Sequence, residues 1–185
     1  QESKIASETQ DAWRAAVVVV NKWDARPEGV TRATFAERLR TMLRFATYAK
    51  IVFVSAKTGE GVRDILPTVK HAYKSAMTRI GTAEVNRVLM ETVQRVSPPA
   101  PGGRTVRIRF GTQISTNPPT FAIVSNRPED VADSYRRFLA NTLREHFIFE
   151  GAPIRIAMRR AKGRWKAADR FTKQEAKKEA KRDAG

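Results

Sequence analysis

Asn21, Lys22 and Asp24 stand in the spacing Asn-Lys-x-Asp directly behind the apolar run Val17-Val18-Val19-Val20. Four β-branched residues in a row predict a buried parallel strand, and open α/β sheets bind ligands at the carboxyl ends of such strands. A carboxylate placed there accepts two adjacent donors at once, which guanine offers through N1–H and its exocyclic N2–H. Adenine leaves the same carboxylate unpaired. An unmatched buried acceptor is penalised heavily, so Asp24 can discriminate between bases where shape alone would not. The aliphatic stem of Lys22 can lie on one face of a base, and Asn21 can tie neighbouring loops together. The stretch reads as a guanine pocket.

Such a pocket needs a second strand end beside the first. Ile51-Val52-Phe53-Val54 supplies it, ending on Ser55-Ala56-Lys57. One amphipathic helix lies between the two strands, which is the spacing of a right-handed crossover. The Ala56 amide can then donate to guanine O6, while the Lys57 stem covers the other face of the base. In the crossover helix Thr34-x-x-Glu37 has the spacing of a capping box. Phe35, Leu39, Met42, Leu43 and Ala46 are expected to face the core, with Met42 as filler, and Arg38, Arg40 and Arg44 to face outward. After Thr58-Gly59-Glu60-Gly61 a further helix places Val62, Ile65, Leu66, Val69, Ala72, Tyr73, Ala76 and Met77 at helical spacing, with Pro67 near its first turn. Gln1–Trp13 reads as the closing part of a surface helix.

At these residues the sequence resembles the translation-factor-type GTPases, which read guanine with Asn-Lys-x-Asp and Ser-Ala-Lys. The remainder of the chain is similar to the Der (EngA) family of ribosome-assembly GTPases, through Arg79-Ile80-Gly81-Thr82, Asn117-Pro118-Pro119, Asp133 to Leu139 and Pro153-Ile154-Arg155-Ile156. That family has two tandem GTPase domains and then a KH-like RNA-binding domain. The resemblance implies an α/β, partial P-loop-type GTPase domain over residues 1–80 and an α+β KH-like domain, order α-β-β-α-β, over residues 81–160. It also implies GTP or GDP as ligand, with Mg2+ in the intact parent only. The implied partners are the large ribosomal subunit, its rRNA and preceding GTPase domains of the same chain, in the cytoplasm.

The periodicity of the second half agrees with that order. Thr82 can cap a helix carrying Val85, Val88, Leu89 and Val93, and Pro98 to Gly103 ends it. One strand sets Val106, Ile108 and Phe110 against Arg107 and Arg109. Thr120 to Val124 forms a second strand after the Asn117-Pro118-Pro119 turn. A long helix over residues 131–149 carries Tyr135, Phe138, Leu139, Thr142, Leu143, His146 and Phe147, and a last strand runs from Ile154 to Arg159. Arg107, Arg109, Arg155, Arg159 and Arg160 are the candidate RNA contacts. KH domains clamp nucleotides on a G-x-x-G loop, which is missing here, so contact through phosphates and shape is expected.

Composition bounds the rest. Lys and Arg number 35 against 19 Asp and Glu, a net charge of +16, which favours a polyanionic partner. The excess is spread, with 14 against 8 in residues 1–80, 12 against 7 in residues 81–160 and 9 against 4 in the rest. The last segment, residues 161–185, reads as a basic tail, disordered or conditionally helical. No stretch has the length of a membrane span, and no cysteine is present, in keeping with a reducing compartment. His71 and His146 lie far apart in sequence and the chain has no cysteine, so a metal site is not expected. Nor is a catalytic residue: the sequence contains neither G-x-x-x-x-G-K-[ST] nor Asp-x-x-Gly, so the base-reading half of a GTP site is present and the phosphate half is not. On this reading the chain is a fragment, inactive alone. The alternative is a non-enzymatic RNA-binding protein whose first half is a degenerate nucleotide-binding fold used as a packing platform.

Overall fold

The computed structural model describes residues 13–43 and 47–161. The expected opening helix, save Trp13, and Arg44, Ala46 and the basic tail beyond Ala161 lie outside the described residues. Trp13 itself sits in a turn with a positive φ of 52°.

Strands β1 (Val17–Val20) and β2 (Lys50–Phe53) pair in parallel, Val17 opposite Lys50 and Val20 opposite Phe53. Val18 lies opposite Ile51 and Val19 opposite Val52, and β1 is less buried than its four valines predict. Val19 is 42% exposed. Among the described residues this sheet has two strands, so one edge of β1 has no neighbour to cover it.

Helix α1 (Arg32–Met42) starts one turn earlier than the Thr34–Glu37 reading. Thr31 is the N-cap and Thr34 the third helical residue, and each hydroxyl accepts from the other's backbone N–H at 3.2 Å. Threonine supplies both halves of the box, and Glu37 is left at the surface. The helix is held by its first half, where the Phe35 ring packs edge-on against Trp23 at 5.6 Å and Phe53 at 6.0 Å. Met42, in the last turn, lies beyond that aromatic cluster and is 70% exposed, so it is not core filler.

Helix α2 (Ile65–Met77) follows a short 3-10 turn and buries Ala72, Ser75 and Ala76, the last in one apolar cluster with Phe121 and Phe149. Its remaining apolar flank, Leu66, Val69, Tyr73 and Met77, is exposed. Regular spacing announces an apolar face; it says nothing of whether the same chain covers it.

The second half is a three-stranded sheet in the order β3-β4-β5, with β3 at Ile108–Ser115, β4 at Thr120–Ser125 and β5 at Arg155–Arg160. β3 and β4 form an antiparallel hairpin across a turn whose Asn117–Pro118 bond is cis, and β5 runs parallel to β4. Helices α3 (Thr82–Arg95) and α4 (Asp133–Phe147) supply Val85, Val88, Leu89, Leu139 and Leu143 to the core, where they meet Phe121 and Ile123. Fully burying a side chain such as Phe121 contributes roughly 2 kcal/mol.

Two sequence expectations fail here for local reasons. Gly81, not Thr82, takes the capping position, and the Thr82 hydroxyl lies 2.9 Å from that of Thr112 instead. In β3 a register shift between Ile108 and Phe110 turns the alternation over. Val106 and Ile108 point into the core, then Gly111 and Gln113 do, so Phe110 leaves their face and stands half-buried opposite Val124. Gly111 is where α3 comes closest; a Cβ there would sit 2.7 Å from Leu89 Cδ2. Beside it the Asn86 side chain works as a piece of strand, donating to Gly111 O at 2.8 Å and accepting from Gly111 N at 2.9 Å.

The two halves are joined at the loop between α4 and β5. Gly151 accepts from Ala16 N at 2.8 Å, just before β1, and donates to Tyr48 O at 2.9 Å, just before β2. Ser75 donates to Ile148 O at 2.9 Å, and Asn117 N to Ala76 O at 3.0 Å, so α2 is tied to the same loop and to the hairpin turn. Glu150 bonds Lys50 at 2.9 Å, with His71 at 3.4 Å; the lysine bond holds the carboxyl below its ordinary range. His71 therefore does have acidic company, brought from a distant part of the chain.

Candidate guanine pocket and basic surface

Past Val20 the strand ladder continues for one more rung on each side. Val54 N donates to Val20 O at 2.8 Å and Trp23 N to Val54 O at 3.0 Å, which sets the two loops side by side. Between these rungs Lys22 takes a left-handed conformation, φ 60° and ψ 35°, uncommon for a residue with a side chain and typical of binding loops. The reversal buries Trp23, 4% exposed, under Phe53 at 4.4 Å, with the Arg26 guanidinium 5.3 Å above its ring. Trp23 is thus the anchor of the loop. Sequence reasoning passed over it as the unspecified position of the motif, although a tryptophan between polar residues was a signal that something there is buried.

The polar residues are cross-linked. Asn21 Oδ1 accepts from Lys22 N at 2.8 Å and from Ala56 N at 3.1 Å, which ties one loop to the other. The buried Ser55 hydroxyl donates to Asp24 Oδ1 at 2.5 Å and accepts from Thr58 N at 3.1 Å. That hydrogen bond is the main cause that holds the Asp24 carboxyl below its usual range; burial opposes it, and the Lys57 ammonium adds to it. A carboxylate fixed in direction and kept ionised is what acceptance of two donors requires. Lys22 and Lys57 are exposed on the two loops. The Ala56 amide is committed to Asn21 in this structure, so donation to a base carbonyl requires it to change or share its partner.

Gly61 ends the Thr58-Gly59-Glu60-Gly61 loop and closes this side of the site. Its φ is 69°, and a Cβ would lie 2.3 Å from Phe53 O. Only glycine lets the chain pass so near the end of β2.

Ser55→Ala should raise the Asp24 pKa. A depressed carboxyl contributes stability above its unfolded-state pKa and loses it as pH falls through the folded value, so the variant should lose that contribution at a higher pH than the unmodified chain. Carboxyl chemical shifts followed by NMR titration check this. An unmoved Asp24 titration would remove Ser55 as the cause.

The candidate RNA contacts divide. Arg107 and Arg109 are exposed at the start of β3, and Arg155 and Arg159 are exposed on β5, with β4 between the two strands. The Arg155 guanidinium lies 5.7 Å from the Trp13 ring. Arg160 is engaged with Glu129 at 2.7 Å and with Asn126 O at 3.4 Å. No group of three or more metal-ligating side chains occurs among the described residues, and none of their helices is long and apolar enough to cross a membrane.

Residues 79–159 match the family model described as the KH-domain-like region of EngA bacterial GTPase enzymes, C-terminal. Proteins named GTPase Der are similar over most of the chain. That of Moorella thermoacetica is 41% identical over 165 residues, covering 89% of this chain and 38% of its own length. Those of Natranaerobius thermophilus and Geobacter metallireducens are 40% and 38% identical over 160 residues, covering 86% of this chain and 36% of theirs. The chain therefore spans 36–38% of the length of these relatives.

Proposed function

From a chain that belongs to the Der (EngA) GTPase family and corresponds to its C-terminal part, we propose that residues 1–80 supply guanine recognition to a GTP-binding, GTP-hydrolysing switch protein. Residues 81–160 carry it onto ribosomal RNA during assembly of the large subunit, in the cytoplasm. The observation that supports this best is the pair of bonds between loops, Asn21 to the Ala56 amide and Ser55 to Asp24, because a platform retained only for packing has no need to hold an ionised carboxylate outward.

In this reading Asp24 accepts N1–H and N2–H, the stems of Lys22 and Lys57 cover the two faces of the base, and Asn21, Ser55 and Ala56 keep the loops in place. None of these residues reaches a γ-phosphate, so they select the nucleotide and leave its hydrolysis to other groups. Mg2+, where the intact parent holds it, would supply charge neutralisation to the phosphates; of the guanine-pocket residues only Asp24 is acidic, and in this reading the base takes it.

The triphosphate contributes much of a nucleotide's affinity through backbone amides, a lysine and the metal. Residues 1–185 alone are therefore expected to bind GTP far more weakly than micromolar and not to hydrolyse it. Joined to a protein with a phosphate cradle, they should make that protein prefer GDP to ADP by about 100-fold or more. Calorimetry on both forms checks this; equal affinity for GDP and ADP in the joined protein would favour the packing-platform reading.

A further inference from the structure

Arg32 and Glu60 form an ion pair of 2.5 Å that the guanine reading does not use, although each adjoins one of its loops. Arg32 is the first residue of α1, a place where a cation opposes the helix dipole, and no acidic residue stands in that turn to offset it. The helix itself therefore has no need of an arginine there. Glu60 comes 28 residues later, in the turn that follows Ser55-Ala56-Lys57. That turn is one closed unit: Ser55 N donates to Glu60 O at 2.9 Å, Gly59 N to Ser55 O at 2.9 Å and Thr58 N to the Ser55 hydroxyl at 3.1 Å. Holding Glu60 thus holds Ser55, whose hydroxyl donates to Asp24. The chain from Asp24 to Arg32 completes a ring that returns through Glu60 and Ser55 to Asp24. Within it Asp24 to Gly29 are all exposed beside an open hollow of about 370 Å³, so burial does not fix this segment. Among the described residues its side-chain bonds to the turn are one at each end, Asp24 with Ser55 and Arg32 with Glu60.

We propose that Arg32 and Glu60 are positioning residues for the base: their ion pair sets how the Ser55 turn meets Asp24 and so slows release of a guanine nucleotide. The proposal rests on the guanine reading above and adds to it the pair that keeps the two loops in place. An ion pair whose side chains are 56% and 45% exposed contributes little to stability in water. Its effect is on geometry. One carboxylate has to present acceptor positions to two donors at once, and a turn free to swing offers that arrangement for a smaller part of the time, which weakens binding by the same fraction. A solvated surface pair with no such role makes the opposite forecast for Asp24, because its charges act on the carboxyl only through their field.

The first test follows the Asp24 carboxyl by NMR titration in the 185-residue chain. Glu60→Ala removes a negative charge, which by field alone can only lower the pKa of another carboxyl. Loosening of the Ser55 hydrogen bond raises it. A rise is therefore the signature of positioning, and the charge-swapped double variant Arg32→Glu/Glu60→Arg should bring the titration back toward that of the unmodified chain. The second test joins the chain to a phosphate cradle and measures release of a fluorescent GDP. Glu60→Ala and Arg32→Ala should each speed release about threefold, and the swap should slow it again. Circular dichroism melts establish that every variant is folded. An Asp24 titration that falls or stays where it was, or release at the unmodified rate in both single variants, overturns the proposal and leaves a surface ion pair. A joined protein that holds GDP no better than ADP before any substitution ends the guanine reading instead, and the titration in the 185-residue chain then decides by itself whether the pair positions Asp24.

Discussion

Asp24→Asn, introduced where this chain is joined to a phosphate cradle, is expected to weaken GDP by about 100- to 10,000-fold, since two hydrogen bonds to a charged acceptor contribute about 1.5–3 kcal/mol each. The same change should raise affinity for xanthosine diphosphate, which carries a carbonyl where guanine has its amino group. The substitution is well controlled by the structure. Asp24 Oδ1 accepts from Ser55 Oγ at 2.5 Å, and an asparagine can present its own Oδ1 to that hydroxyl. The loop is then unchanged, and one outward acceptor becomes a donor. Competition between GDP and xanthosine diphosphate for a fluorescent guanine nucleotide measures both effects. Unaltered GDP affinity would take Asp24 away from the base altogether.

Gly151→Val is expected to have the largest effect on stability. The glycine has a φ of 72°, and a Cβ there would lie 2.5 Å from Ala72 Cβ and 3.3 Å from Ala16 O. A β-branched residue adds backbone strain of roughly 1–2 kcal/mol and overpacking of roughly 1–3 kcal/mol. At about 2–4 °C per kcal/mol for a chain of this size, Tm should fall by about 10 °C. The position joins Ala16 and Tyr48 to the α4–β5 loop, so the two halves should also melt less cooperatively. Ala72→Gly in the same chain removes the methyl that is struck but not the strained φ, and should restore part of the loss. A Gly151→Val chain that melts within about 2 °C of the unmodified one would show that the halves do not meet in this way.

Sequence patterns that are local were legible. The valine run, the Ser-Ala-Lys turn, the helix bearing Tyr135 to Leu143 and the hairpin around Asn117 to Pro119 are all written within a few residues of themselves. The bonds from Asn21 to the second loop follow from two strand ends side by side, and could be anticipated on that ground. What escaped depends on distance or on a single displaced residue. Gly151 meets Ala72, a residue from the other half of the chain, through the register of the fold, which no spacing reveals. The β3 irregularity has no proline to mark it, and it moves Phe110 off the face its alternation assigns. Gln113 is polar yet only 2% exposed, accepting from Ile80 N at 2.7 Å and donating to Thr78 O at 2.9 Å, partners more than thirty residues away. Exposure of the α2 flank and of Met42 was hidden for the opposite reason: apolar periodicity describes what a residue could bury, not what is there to bury it.

The amide of Asn86 also bears on how copies of this chain behave when crowded together. It fills the outer edge of β3 at Gly111, where an added strand would look for its first hydrogen bonds. The opposite edge, β5, carries Arg155, Arg159 and Arg160 within six residues, so a second copy laid against it would set cation beside cation. Both outer strands of that sheet are thereby guarded against amyloid-like stacking, one by a surrogate strand and one by charge. Among the described residues β1 has neither device. Its four valines hold no charge and no proline, which makes it the strand from which precipitation of the concentrated chain would begin.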